Sequence, residues 1–169
     1  VRDLREGTAS SAPRELMQVG RRVFFTANDG VHGRELWASD GTTRGTFMVN
    51  DVRNGNASSK PSDLVAARGR VFFSADDGAN GRELWASDGT TAGTSMLRDI
   101  NPGGSSNPAE FTALGEKVLF VATGSQHGRE LWITDGTSAG TTLLCDINPK
   151  VESGSPRLLT RVGDRVFFI

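Results

Sequence analysis

Tyrosine is absent from the 169 residues, cysteine occurs once, at Cys145, and histidine twice, at His32 and His127. One thiol excludes an intrachain disulfide and any multi-cysteine metal site. Two histidines leave little for a histidine-rich metal centre, so no metal or other cofactor is expected. A surplus of charge is missing too: 19 Lys and Arg face 20 Asp and Glu, a formal net charge of −1. Nucleic-acid and membrane-surface proteins usually carry a large basic excess, so neither partner is expected. No apolar run approaches the ~20 residues that cross a bilayer, which argues against membrane insertion. No segment combines a helical apolar period with caps, and almost no helix is expected. Glycine is plentiful, at 21 residues, but without the every-third-residue period of collagen. Hydrophobic residues at 36% can still build a core. Composition thus describes a turn-rich chain and says more about architecture than activity.

The informative feature is an internal repeat of 47–48 residues. Glu35-Leu36-Trp37 returns as Glu83-Leu84-Trp85 and Glu130-Leu131-Trp132. Asp40-Gly41-Thr42 returns as Asp88-Gly89-Thr90 and Asp135-Gly136-Thr137. Val23-Phe24-Phe25 occurs four times with one Leu variant, and Pro13, Pro61, Pro108 and Pro156 mark one point in each copy. Each unit reads as four short strands, rich in aromatic and β-branched residues and separated by Gly, Asn and Asp turns. Three connections are short enough for hairpins, giving an antiparallel meander. The fourth, Val52 to Lys60 or Ile100 to Asn107, is longer. A return across the sheet spans about 15 Å, which eight or nine flexible residues can cover. Phe24 and Phe25 are neighbours and point to opposite faces, as do Leu36 and Trp37. Both faces of each sheet are therefore apolar and need a covering sheet.

The expected fold is all-β: a β-propeller, or a propeller segment, of four-stranded antiparallel blades. Three blades are expected at 14–51, 62–99 and 109–146. Residues 157–169 supply the first two strands of an incomplete blade, and 1–4 the last strand of a preceding or closing one. These ends read as a piece of a longer product, completed by further repeats or by a second copy in a homodimer.

The strings Glu-Leu-Trp-Ala-Ser-Asp-Gly-Thr at 35–42 and 83–90, and Glu-Leu-Trp-Ile-Thr-Asp-Gly-Thr at 130–137, resemble the bacterial ELWxxDGT repeat family. The Gly-Thr pairs that follow, and Asp51-Val52, Asp99-Ile100 and Asp146-Ile147, match as well. The resemblance covers essentially the whole chain. It implies an exported, extracellular or cell-surface bacterial protein with propeller-like repeats and no single shared enzymatic activity.

Candidate sites separate into two rims. The Asp-Gly-Thr turns are nearly identical in every copy, which suits a structural turn in which Asp accepts backbone N–H groups and Gly takes positive φ. The opposite rim varies: Asn28, Asp29 and His32 in the first copy, Asp76, Asp77 and Asn80 in the second, Gln126 and His127 in the third. Loops held on a rigid scaffold commonly carry binding, so these residues are the candidate ligand site. The third copy reads Thr123-Gly124-Ser125 and lacks the carboxylates, which argues against a calcium site common to all copies. Glu35, Glu83 and Glu130 are expected to pair with a neighbouring strand or with the series Arg22, Arg70, Lys117 and Arg165. Cys145 is expected to face solvent. No nucleophile motif and no unique carboxylate pair appears, so no catalytic residue is expected. The functional expectation is a non-catalytic module for binding, adhesion or surface scaffolding, with a protein or glycan partner. Two alternatives stand beside it: a multivalent carbohydrate binder with pockets lined by Trp37, Trp85 and Trp132, and the non-catalytic part of a larger secreted enzyme.

Overall fold

A computed structural model describes residues 2–149 and 152–169. It is all-β, with fourteen strands and no helix among the described residues. β1 (Arg14–Val19), β2 (Arg22–Asn28), β3 (Arg34–Ser39) and β4 (Phe47–Asn50) form one antiparallel sheet in chain order. β5 (Ser62–Ala67), β6 (Arg70–Asp76), β7 (Arg82–Ser87) and β8 (Ser95–Arg98) form the second. β9 (Ala109–Leu114), β10 (Lys117–Gly124), β11 (Gly128–Thr134) and β12 (Thr142–Cys145) form the third. β13 (Thr160–Val162) and β14 (Arg165–Phe167) make a two-stranded sheet.

The register explains the repeated aromatics. Phe25 lies opposite Trp37, Phe73 opposite Trp85 and Phe120 opposite Trp132. Such cross-strand aromatic pairs stabilise a sheet by fractions of a kcal/mol each, up to ~1 kcal/mol. The larger contribution comes from packing between sheets. Phe24, Leu36 and Ala38 on one face of the first sheet meet Val71, Phe73, Ala75 and Trp85 of the second. Phe72, Leu84 and Ala86 on the second sheet's other face meet Val118, Phe120, Ala122 and Trp132 of the third. Neighbouring residues therefore do serve opposite faces, and Trp85 and Trp132 each point toward the sheet that precedes theirs.

The first strands of successive sheets lie side by side, β1 by β5, β5 by β9 and β9 by β13. Sheets adjoin in chain order, and the described residues form no closed ring. Each four-residue fourth strand lies at the far edge, so the long linker must cross back over the sheet, as its length requires.

Two details depart from the sequence reading. Arg2 to Leu4 form no strand, and Val1 lies outside the described residues. A strand needs a ladder partner, and the edge where Leu97 pairs in its own sheet has no counterpart here. Leu4 instead packs against Phe25, Ala27 and Trp37. The strand expected at 1–4 is thus not formed among the described residues. The second detail is backbone. Glu15, Asp63 and Glu110 in the first strands, and Leu158 just before β13, occupy one repeat position and all take positive φ, between 56° and 59°. Register shifts span this position in the three full sheets. A bulge of this kind bends the strand and increases its twist.

Candidate functional site

The Asp-Gly-Thr turns are built almost identically. Asp40 Oδ1 accepts the Thr42 N–H at 2.9 Å and the Thr42 hydroxyl at 2.7 Å. Thr42 Oγ1 accepts the Gly45 N–H at 2.9 Å, and the Thr46 hydroxyl donates to the Thr42 carbonyl at 2.6 Å. The same bonds recur around Asp88 and Asp135. Gly41, Gly89 and Gly136 have φ near 90°, which a Cβ would strain. Side-chain and then backbone hydrogen bonds from Thr90 hold the Asp88 carboxyl below its ordinary range. Thr42 and Thr137 do the same for Asp40 and Asp135.

These turns also join the sheets. The Arg70 guanidinium donates to the Gly136 carbonyl at 2.9 Å, and the turn sits on the Phe72 ring. One sheet earlier, Gly89 sits against Phe24 and Arg22. The Thr91 hydroxyl donates to the Val49 carbonyl at 2.9 Å, and Arg98 donates to the Thr141 carbonyl at 2.7 Å. The turns of the second and third sheets thus dock on the second strand of the sheet before each.

The glutamates correct an expectation. Glu35, Glu83 and Glu130 are fully buried and form no pair with Arg22, Arg70, Lys117 or Arg165. Glu83 accepts the N–H groups of Ile100 (3.1 Å) and Ser106 (2.7 Å) and the Ser106 hydroxyl (2.5 Å). Glu35 accepts from Val52 N, Ser59 N and Ser59 Oγ in the same way, and Glu130 from the N–H groups of Ile147 and Gly154. Each carboxylate therefore pins both ends of the linker that leaves its own sheet. Arg70 is instead committed to the neighbouring turn, and Arg22 lies against Gly89 of the turn next to it. Burial pushes the Glu35 carboxyl up to about 7, against the bonds from Ser59 and Val52 that lower it. Burial also raises Glu83.

The variable rim combines the loops between second and third strands with the linkers. Asp29 Oδ1 accepts the N–H groups of Val31 (2.9 Å) and His32 (2.8 Å), and Oδ2 meets His32 Nδ1 at 2.7 Å. Burial opposes ionisation of Asp29, yet the His32 and Val31 bonds hold its carboxyl below the ordinary range. The bond to Asp29 raises the His32 imidazole. Asp77 repeats the pattern, with Asn80 Nδ2 donating at 2.7 Å. Asp76 pairs with Arg53 of the preceding linker at 2.8 Å. Asn28 Oδ1 accepts the Gly30 N–H. In the third sheet His127 turns to Asp146, at 3.1 Å, because Gly124 stands where the other copies have aspartate. Gln126 and His127 line a cavity of about 450 Å³ between the second and third sheets, together with Asp99, Gly124 and Trp132. The candidate residues thus share one rim but lie in three separate loops.

Cys145 is exposed. Trp37, Trp85 and Trp132 are 4%, 8% and 6% exposed; Trp85 and Trp132 sit in the packing between sheets, and Trp37 lies under Leu4 on the first sheet's outer face. Among the described residues no group of three or more His, Cys, Asp or Glu side chains is arranged to hold a metal ion. The sequence reading missed Asp99 and Gly124 as site residues, although aligning the copies exposes Gly124 as the missing carboxylate.

No protein-family model and no curated protein matches the chain. Among solved structures it is similar to the acylaminoacyl peptidase of Pyrococcus horikoshii, with 17% identity and a TM-score of 0.54. That match covers 83% of this chain and 21% of the peptidase, so the chain spans about a fifth of the peptidase's length. A computationally designed protein shows 19% identity over 83% of this chain and 37% of its own, with a TM-score of 0.45. A puromycin hydrolase mutant shows 15% identity over 92% and 32%, with a TM-score of 0.40. At such identities the peptidase match shows likeness of fold alone.

Proposed function

We propose that this chain is a segment of a β-propeller that binds a partner through its variable rim and performs no catalysis. The carrying observation is the division of labour between the rims. The Asp-Gly-Thr turns of the second and third sheets are consumed by docking on the preceding sheet, through the Arg70 to Gly136 bond and its neighbours. The loops around Asp29, Asp77 and His127 make few bonds between sheets and differ in every copy.

The propeller reading rests on the side-by-side first strands and on the first sheet's outer face. Phe25 and Trp37 there are covered only by Leu4 and Met48, while Leu16 and Val31 are exposed. The corresponding face of the second sheet lies under the first. A further sheet of the same kind, from additional repeats or a second copy, fits this surface and would receive the free Asp40-Gly41-Thr42 turn. Export to the bacterial surface, with adhesion or scaffolding as the role, follows from the ELWxxDGT resemblance. A second reading, the non-catalytic part of a larger enzyme, draws on the peptidase likeness, which is one of fold.

The test is loop exchange. Residues 28–32, 76–80 and 125–127 are replaced by Gly-Ser loops of equal length, and adhesion of the purified chain to bacterial cell surfaces is measured. Loss of adhesion at an unchanged melting temperature supports the reading. Adhesion that survives all three exchanges contradicts it.

A further inference from the structure

The two complete junctions between sheets differ where their first strands meet, β1 by β5 and β5 by β9. Between the first and second sheets lies a cavity of about 560 Å³, a size typical of small-molecule sites. Four cationic residues line it: Arg14 at the start of β1, Arg34 at the start of β3, Lys60 of the linker and Arg82 at the start of β7. Glu15 is the one acid of the lining. Among the described residues none of the four cations forms a salt bridge. Two of them are anchored with donors to spare. Arg34 Nη1 donates to the Ala12 carbonyl at 2.9 Å, to Thr26 Oγ1 at 3.1 Å and to the Thr26 carbonyl at 3.3 Å. Arg82 Nη2 donates to the Ser62 hydroxyl at 2.5 Å and the Ser74 carbonyl at 3.1 Å. A guanidinium carries five N–H donors on three nitrogens, and each arginine uses one nitrogen. Asn28 also lines the cavity, and its Oδ1 accepts the Gly30 N–H at 2.7 Å, which leaves the side-chain NH2 to donate elsewhere.

The charge is particular to this junction. At the second junction Ser62 stands in the Arg14 position and Asn107 in the Lys60 position, so of the four cations only the Arg82 and Arg129 pair has a counterpart there. Burial pushes the Arg129 guanidinium down, and the carboxylates of Glu110 and Asp63 oppose this. Burial does the same to Arg82, opposed by Asp63 and Asp76. At Arg34 burial pushes the guanidinium down and the charge of Arg14 pushes it further. Like charges held around a cavity repel, and an anion placed among them replaces repulsion with attraction. A cation would add to the repulsion, and a neutral ligand would leave the charges unmatched. The guanidinium fork fits the oxygens of a phosphate, and a doubly charged phosphate gains more from four cations than a singly charged carboxylate.

We propose that the first junction binds a phosphate group, free or carried on a larger molecule, among Arg14, Arg34, Lys60 and Arg82, with the Asn28 amide as a neutral donor. It rests on the reading that the variable rim is the binding rim, since Asn28 and the linker residue Lys60 belong to that rim. It is a single site, because the second junction lacks the counterparts of Arg14 and Lys60.

The experiment is a calorimetric titration of the intact chain with inorganic phosphate, glycerol phosphate and acetate at neutral pH, the ionic strength held constant with sodium chloride. The Asn28 side-chain amide resonance is the local probe. We expect saturable binding of at least one of the two phosphates, a shift of the Asn28 amide, and weaker binding of acetate. Arg14→Ser and Lys60→Asn copy the second junction at exposed positions, and asparagine suits the positive φ of Lys60, as at Asn107. Each should weaken phosphate binding about tenfold with the fold intact, and the double variant should abolish it. Tighter binding of glycerol phosphate than of inorganic phosphate supports a ligand that carries the group, and the reverse supports the free ion. Heats no larger than those of sodium chloride overturn the proposal, as do an unmoved Asn28 amide, acetate bound as tightly as phosphate, or full binding by the double variant. If both phosphates fail while loop exchange still abolishes surface adhesion, this site falls and the rim reading stands.

Discussion

Both ends of each sheet must reverse the chain, and they do so in different ways. At the Asp-Gly-Thr end, one carboxylate, one or two hydroxyls and a positive-φ glycine form a turn whose outer surface is a docking face for the preceding sheet. At the other end, Asp29 and Asp77 organise their loops in a similar manner, but the bonds stay mostly inside the loop. The first kind of turn is bound to its sequence because two sheets depend on it. The second is free to vary, and it has varied: the third copy has lost its aspartate and gained a cavity. Constancy among copies here marks a contact between sheets, whereas divergence marks loops whose bonds stay mostly within themselves.

The comparison is broken most forcefully through the parts common to both ends. Phe72 is fully buried between the second sheet and the third. Phe72→Ala should cost about 4 kcal/mol in urea unfolding. Glu83→Ala would strand three donors in the linker and should cost about 3 kcal/mol, with Glu83→Gln costing less because an acceptor remains. A loss as small as that of a surface substitution would show that the linkers are not held by these carboxylates.

Smaller effects separate the rims. Asp88→Ala should cost about 1 kcal/mol, and a comparable loss is expected for Arg70→Ala, which removes the donor to Gly136. Asn80→Ala, on the variable rim, should stay within about 0.5 kcal/mol. Equal losses at Asp88 and Asn80 would erase the distinction.

The pH dependence sharpens it further. Glu35 is raised from 4.5 to about 7, so the folded chain holds its proton more tightly than the unfolded chain. Its contribution is fully present below pH 4.5 and is lost as pH rises through about 7. Asp40, Asp88 and Asp135 are lowered, so theirs is present above pH 3.8 and lost as pH falls through their folded values. Glu35→Gln should therefore flatten the neutral limb of a stability-against-pH curve and leave the acid limb unchanged.

Much of this architecture was legible before any coordinates. Adjacent apolar residues such as Phe24-Phe25 required two covered faces, and the long linkers required a crossing back over each sheet. The role of Glu35, Glu83 and Glu130 was not legible, because their partners are backbone N–H groups 17 and 23–24 residues away, which have no residue-type signature. The positive φ at Glu15, Asp63, Glu110 and Leu158 was hidden for the same reason, since none of these residues announces a bulge. The variable rim could be located from the copies, but the cavity between the second and third sheets needed the three-dimensional adjacency of Asp99 and Gly124 in different repeats.

The central claim is that the Asp-Gly-Thr rim builds the stack while the opposite rim is dispensable to it. The most direct measurement compares urea midpoints of two exchanges in the second sheet. In one, residues 76–80 take the sequence of 123–127; in the other, residues 88–92 become Gly and Ser. We expect the first to keep its midpoint to within about 0.5 kcal/mol and the second to lose about 2 kcal/mol or more. A stable second exchange beside a collapsed first one would contradict the claim.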